Sequence, residues 1–386
     1  MKKWLVLATT LVLMGNHSAR QSQFYVEVPF ESSSDLGKLR ANGLDIAGID
    51  LERKIISIVM KESELNQLRG LRVVSKREIN RLDEEYKNPA EVESALIDFE
   101  KNYPHLVRRE SIGKSVEGRD IWAVALTQKY SKEKEPKKTI LVDAMHHARE
   151  VMTTEVALDI IDYLTKNYET DPKVRNWMDK YEIWVVPMLN PDGNNKVWTE
   201  ENMWRKNTQG GHGVDINRNY PYEWASCNGS SSLKSSDTYH GASGGSEPET
   251  QALMALASRI QPKFNLSYHS YSEIVIYPFG CDPKTVPSSD AKIYLETGKE
   301  LAKRLVRDSG DGHYKAGTSY DLLYNVDGGS IDWMYGKEKI MAFVVELNGS
   351  WQGFQPSYKK WRDSTVEKQR AGWMYLLDQM GEPGIK

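Results

Sequence analysis

Cysteine is scarce in this chain: two among 386 residues, Cys227 and Cys281. Two cysteines cannot build a disulfide-dependent scaffold, and spacing alone leaves open whether they pair or stay as thiols. Charge of one sign is also missing. The formal net charge is −3, so no basic surface points to nucleic acid and no acidic tail is present. No apolar run is long enough to span a bilayer. Internal repeats and oligomerisation signals are absent too, so a monomer is expected.

What is present begins with a basic Met1-Lys2-Lys3 and a nearly all-apolar Trp4–Met14, followed by small or polar residues including Ser18-Ala19. That is the layout of a secretory signal peptide, expected over residues 1–20, and it places the protein outside the cytoplasm. Next, FYVEVPF (24–30) alternates like a strand, and SSSDLGKLRANG (32–43) reads as a short helix stopped by Gly43. Two β-rich runs follow in LDIAGIDLERKIISIVM. KESELNQLRG reads as a second helix with Leu65 and Leu68 three apart, and RVVSKREI as a last strand. The order β-α-β-β-α-β predicts a ferredoxin-like unit of about 60 residues, with no catalytic constellation of its own. Residues 76–91 are charged, and Lys76, Arg77, Arg81 and Lys87 make them a protease-sensitive linker or a surface helix between two domains.

From residue 86 onward strand-like runs (IWAVALT, TILVDAM, EIWVVPML, FNLSYHS, MAFVVEL) alternate with helical ones, the last near 361–380. Alternation of this kind predicts an α/β fold, a central sheet with helices on both faces. The stretch HHARE (146–150) lies between the strand ILVDAM and an amphipathic helix, where open α/β sheets bind ligands. His147 and Glu150, three apart, can share one ion, and a catalytic zinc needs a third protein ligand and an open position. His269, in SYHSYS after another strand, is the candidate third. His-x-x-Glu alone is a weak signal, so the reading depends on its company.

That company is WRKN (204–207), DINRNY (215–220), NPDG (190–193), the stretch Tyr324–Trp333 and FVVEL (343–347). With HHARE and SYHSYS, this set resembles the zinc carboxypeptidase family (funnelins, the pancreatic carboxypeptidase A/B type), with its nearest likeness in the secreted bacterial carboxypeptidase T group. The likeness covers residues 86–380. It implies a zinc carboxypeptidase fold over 86–386 and an activation propeptide over 21–85, removed by an activating protease. It implies Zn2+ held by His147, Glu150 and His269, with calcium as a structural option. Glu346 matches the catalytic glutamate and Arg205 the arginine that polarises the scissile carbonyl. Asn217 and Arg218 match the grip on the substrate's terminal carboxylate, Arg149 a subsite arginine, and Tyr324 the tyrosine that closes over substrate. The implied partners are peptide and protein C-termini, and the peptide at Ser270–Tyr271 is expected to be cis. Asp215, and also Asp143, are expected to support His147.

The chemistry of these residue types agrees. An ionised glutamate can take a proton from metal-bound water, and arginine meets a carboxylate with two parallel bonds. Ile331 matches the position that separates basic from apolar specificity, and isoleucine there, with Gly280 and Val344, predicts a preference for apolar or aromatic C-terminal residues. Two other readings keep the fold: a cell-wall peptide hydrolase or deglutamylase, which would want a cationic pocket wall, and a non-catalytic binding module, which would have lost a ligand or the glutamate.

Overall fold

The computed structural model of the chain describes residues 22–31, 39, 44–129, 136–281 and 284–381. The expected signal peptide lies outside them, as does the helix expected over 32–43 apart from Leu39. Among the described residues no helix is long and apolar enough to cross a membrane.

Two sheets form. The first holds β1 (Gln23–Pro29), β2 (Asp45–Asp50), β3 (Ile55–Lys61) and β4 (Ser75–Glu78) in the order β2-β3-β1-β4, every pairing antiparallel. Strand residues alternate faces, and here both faces are used. Val26, Val28, Ile56, Ile58 and Met60 close the unit's own core, whereas Tyr25 and Val59 cluster with Met203, Tyr271 and Phe354 of the larger domain. The α-helix expected in KESELNQLRG is instead a 3₁₀ turn, Glu62–Leu68. Its apolar residues, Leu65 and Leu68, are three apart, and a three-residue repeat stacks them on one side.

The second sheet has eight strands: β5 (Val107–Lys114), β6 (Asp120–Leu126), β7 (Lys138–Ala144), β8 (Tyr181–Val186), β9 (Phe264–Ser270), β10 (Ile274–Tyr277), β11 (Lys315–Thr318) and β12 (Met341–Leu347). Their order is β11-β10-β12-β9-β7-β8-β6-β5. The four pairings β8–β7, β7–β9, β9–β12 and β10–β11 are parallel, and the rest are antiparallel, so the sheet is mixed. In β12, Phe343, Val345 and Leu347 face helices Val151–Asn167 and Tyr358–Gln379, while Ala342 and Val344 face helices Pro248–Ile260 and Ser330–Gly336. Helices therefore cover both faces, as the alternating sequence requires.

No helix continues through 76–91. Beyond β4 the chain runs irregularly to helix Pro89–Asn102, which Asn88 caps by accepting from Ala90 and Glu91 N–H while Glu91 accepts from Asn88 N–H. Leu82 and Tyr86 are already buried in the larger core, and the Tyr86 hydroxyl donates to the Pro356 carbonyl at 2.7 Å.

Candidate active site

The site grows from the ends of β7, β9 and β12. Register aligns Glu346 of β12 with His269 of β9, and the period of two sends both side chains to one face, opposite Val345 and Tyr268. After β7 the chain turns at Met145, in the left-handed region at φ 60°, and brings HHARE to the same corner. Glu150 stands at the N-cap of helix Val151–Asn167 but gives it no side-chain cap. Its carboxylate turns to the histidines instead.

Among the described residues, His147, Glu150 and His269 form a group able to hold a metal, their ligand atoms all within 4.8 Å of one another and buried. His147 Nδ1 lies 2.7 Å from Glu150 Oε1, and His269 Nδ1 lies 3.1 Å from Glu150 Oε2. The two Nδ1 atoms are 3.2 Å apart. Two imidazole nitrogens aimed at each other beside a carboxylate suit a shared cation. Burial raises the Glu150 pKa, but the two histidines outweigh it and hold the carboxyl below its ordinary range. His147 turns its other nitrogen, Nε2, to Asp215 Oδ1 at 3.2 Å, the usual support for a ligating histidine. Asp143 does not share that task, contrary to expectation. It accepts from Asn265 and Ser267 at 2.6 Å and lies 3.3 Å from Nδ1 of His146. It lies on the sheet face that carries His269, but its register partner on β9 is Ser267, two residues short of His269, so it bonds the neighbouring strand instead.

Asp215 also binds Arg205, whose Nε and Nη2 donate to Oδ2 at 3.1 and 2.9 Å. Burial pushes the Asp215 pKa up, yet Arg205, His147 and Arg218 overcome this and keep it well below the usual range. One aspartate thus orients both a candidate ligand and a candidate electrophile. Glu346 is half-buried and lines the same cavity as His147, Glu150, Arg205, Asn217, Arg218, Tyr324 and Ile331. Burial, then repulsion from Glu150, pushes its pKa to about 8, against the pull of Arg205 and Arg218. A bound dication would pull it down again.

The cavity's deeper wall is Ile276, Gly280, Val326, Ile331 and Val344, with Asp332 beside them. Asp332 is buried and accepts from Gly280 N–H at 2.9 Å; burial raises its pKa to about 7. Cys227 and Cys281 form a disulfide next to this wall. The peptide Ser270–Tyr271 is cis, and so is Pro278–Phe279, which the sequence did not signal.

The remaining wall belongs to the first sheet. Ile46, Ala47, Gly48 and Ile49 of β2 line the cavity opposite Glu346. Arg149 is 1% exposed, and both of its terminal nitrogens reach the Asp45 carboxylate, Nη2 to Oδ1 at 2.8 Å. Its guanidinium also lies 4.1 Å from the Phe354 ring centre. Ile49 N–H donates to Ser272 Oγ at 3.1 Å, and Phe354 N–H to the Tyr25 hydroxyl at 2.9 Å. A Cβ on Gly48 would come within 2.3 Å of the Tyr271 ring, so only glycine permits this approach. Tyr324 packs against the core of the first sheet. Sequence reasoning missed Asp45, Tyr25 and Gly48, because strands FYVEVPF and LDIAGID carry no motif.

Two imidazoles and one glutamate over the strand ends of an α/β sheet make the donor set of a catalytic zinc, and the fold and site together define a zinc-hydrolase type of centre. The pattern of the family described as zinc carboxypeptidase matches residues 92–371, and the chain belongs to that family. It is 33% identical over 298 residues to a zinc carboxypeptidase of Saccharothrix mutabilis subsp. capreolus, covering 74% of this chain and 66% of that one. It is 29% identical to carboxypeptidase A6 of Mus musculus, covering 68% and 60%. The matched stretch thus spans two thirds or less of these relatives' length. The crystal structure of the carboxypeptidase A from Helicoverpa armigera shares the fold, with a TM-score of 0.79 at 21% identity over 96% of this chain and 98% of that one.

Proposed function

We propose that the protein is an exported zymogen of a zinc metallocarboxypeptidase that removes the C-terminal residue of peptides and proteins. The observation that carries this reading is one cavity lined by His147 and Glu150 of the metal group together with Glu346, Arg205 and the pair Asn217–Arg218. Zinc held by His147, Glu150 and His269 would supply an acidified water at neutral pH and polarise the scissile carbonyl. Glu346, lining the same cavity, is the carboxylate placed to accept a proton from water and to pass it to the leaving amine. Arg205, locked by Asp215, stabilises charge on the carbonyl oxygen. Asn217 and Arg218 hold the terminal carboxylate, which an internal peptide bond cannot offer. Tyr324 covers bound substrate, and Arg149 serves an outer subsite.

The apolar wall around Ile331 supports a preference for apolar or aromatic terminal residues, since a lysine there would lose hydration without a partner. Asp332 is committed to Gly280 N–H and held toward its neutral form.

Residues 1–20 act as the signal peptide, 21–85 as the propeptide with a ferredoxin-like fold, and 86–386 as the enzyme. The first sheet occupies the substrate's approach, and Asp45 takes the arginine that substrate would use. Release requires a cut between the sheets. Lys76 is paired with Glu62 and Arg77 lies over the Tyr25 ring, both within β4, while Lys87 is paired with buried Glu155. The Arg81 side chain is 80% exposed, paired at 3.6 Å with an equally exposed Glu84, in the irregular stretch before buried Leu82, which makes it the bond for a trypsin-like protease.

The test uses the full chain cut by trypsin, with N-blocked peptides ending in Phe or Lys, with and without a zinc chelator. Release of Phe, slower release of Lys and silence with chelator are expected. Faster release of Lys contradicts the pocket assignment, and no release of either from zinc-loaded protein contradicts the function.

A further inference from the structure

Behind the cavity three chain segments are tied into a knot that the reaction as described does not use. Arg218 Nε donates to the Gly229 carbonyl at 3.1 Å, and Nη1 donates to the Asn217 carbonyl at 2.8 Å. The orientation of this guanidinium therefore depends on where Gly229 sits. Gly229 N–H and Cys227 N–H both donate to one oxygen of Asp327, each at 3.0 Å. Asp327 is fully buried. Its neighbour Val326 donates N–H to the Gly280 carbonyl at 3.0 Å, and Cys281, next along, is bonded to Cys227. The circuit is closed: Gly229 to Asp327, Val326 to Gly280, Cys281 to Cys227. Fit reinforces it, because a Cβ on Gly229 would come within 2.4 Å of Asp327 N.

A side-chain carboxylate that accepts two backbone N–H groups in a buried place fixes the loop that presents them. The loop belongs to the Ser/Gly-rich stretch 227–246, whose composition gives it little stiffness of its own.

We propose that Asp327 and the Cys227–Cys281 disulfide are the positioning device for Arg218, aiming its guanidinium at the terminal carboxylate of the substrate by fixing the Gly229 carbonyl. This rests on the reading of Arg218 as the carboxylate grip. Neither Asp327 nor the disulfide need touch the substrate. Their effect falls on recognition of the carboxylate and not on the bond-breaking step.

The experiment compares the full chain with Asp327→Asn, with the double variant C227S/C281S, and with Arg218→Ala as reference, all cut in place by trypsin. Each is given an N-blocked peptide ending in Phe and its twin ending in Phe-amide, which has no carboxylate. In Asp327→Asn and in the double variant, KM for the acid rises roughly tenfold, as for weakening a charged hydrogen bond, while kcat holds within about twofold. Cleavage of the amide is unchanged, so the acid-to-amide ratio of kcat/KM falls toward that of Arg218→Ala. Equal losses on both peptides, or no change on either, overturn the positioning role. An undiminished ratio in Arg218→Ala overturns the grip itself, which is a distinct failure. Should Asp327→Asn not fold, the double variant reads the same circuit from its other side.

Discussion

The two sheets meet at one cavity but bring different kinds of residue to it. The eight-stranded sheet contributes chargeable side chains from three strand ends: buried His147, Glu150 and His269, and half-buried Glu346. The four-stranded sheet contributes backbone and small apolar residues of β2, and one carboxylate, Asp45. Groups of the first kind are costly to bury and are tolerated because they are joined to each other or to a metal. The second kind is a cover whose contact is mostly shape, held at one place by charge. The difference teaches that, on the proposed reading, reaction chemistry and access to it are built in separate parts of the chain.

The comparison can be broken most severely at Glu346. Glu346→Gln removes the proposed proton carrier but leaves the cover and the metal group intact. Turnover of the trypsin-cut protein is expected to fall by ~10²–10⁴ in kcat with zinc still bound. Turnover within about threefold of wild type would mean the proton passes elsewhere.

A smaller effect is expected at Asp45. Asp45→Ala leaves Arg149, 1% exposed, without its carboxylate, and loss of a buried partner costs ~3–5 kcal/mol in the docked state. The uncut chain should then show peptidase activity on the Phe peptide at least roughly tenfold above uncut wild type, with the trypsin-cut activity unchanged. No rise would show that the cover holds by shape alone.

The mildest change concerns the larger domain by itself. Glu249 is fully buried, and burial raises its pKa to about 7 against hydrogen bonds from Asn207 and Val116. Its folded-state pKa exceeds the ordinary value of 4.5, so folding favours the protonated form. Stability present below about 4.5 is lost as pH rises through about 7. Glu249→Gln should remove this dependence, so between pH ~5 and ~8 wild type loses up to ~3 kcal/mol that the variant keeps. Thermal melts at the two pH values check it, and parallel losses in both proteins would contradict the assignment.

Much of the larger domain was legible because its signals are short. His147 and Glu150 lie within one turn, and His269 and Glu346 each end an apolar strand that reads as such. Five of the six longer strands (β6, β7, β8, β9 and β12) and the long helices follow from periodicity, whereas β5, VRRESIGK, is too polar to read as a strand and β10 and β11, four residues each, are too short to show a period. Long-range approach was not legible. Asp45 meets Arg149 across 104 residues, and Asp327 meets Gly229 across 98. Nothing local to LDIAGID or NVDGG marks either. Cys227 and Cys281, 54 residues apart, pair only because the fold puts their Cα atoms 5.9 Å from each other. Asp143 misled for the same reason. Its position beside HHARE suggested a hydrogen bond to His147, but its register on the sheet sets it beside Ser267 and Asn265 of β9.

The central claim is that the metal group is complete in the uncut chain and only its access is withheld. Zinc content of the purified, uncut protein by elemental analysis tests this most directly, beside Glu150→Gln and His269→Ala. The account predicts one zinc per wild-type chain, roughly none in either variant, and no change in the wild type after the trypsin cut. Zinc that is absent until the cut, or retained when Glu150 or His269 is replaced, would contradict it.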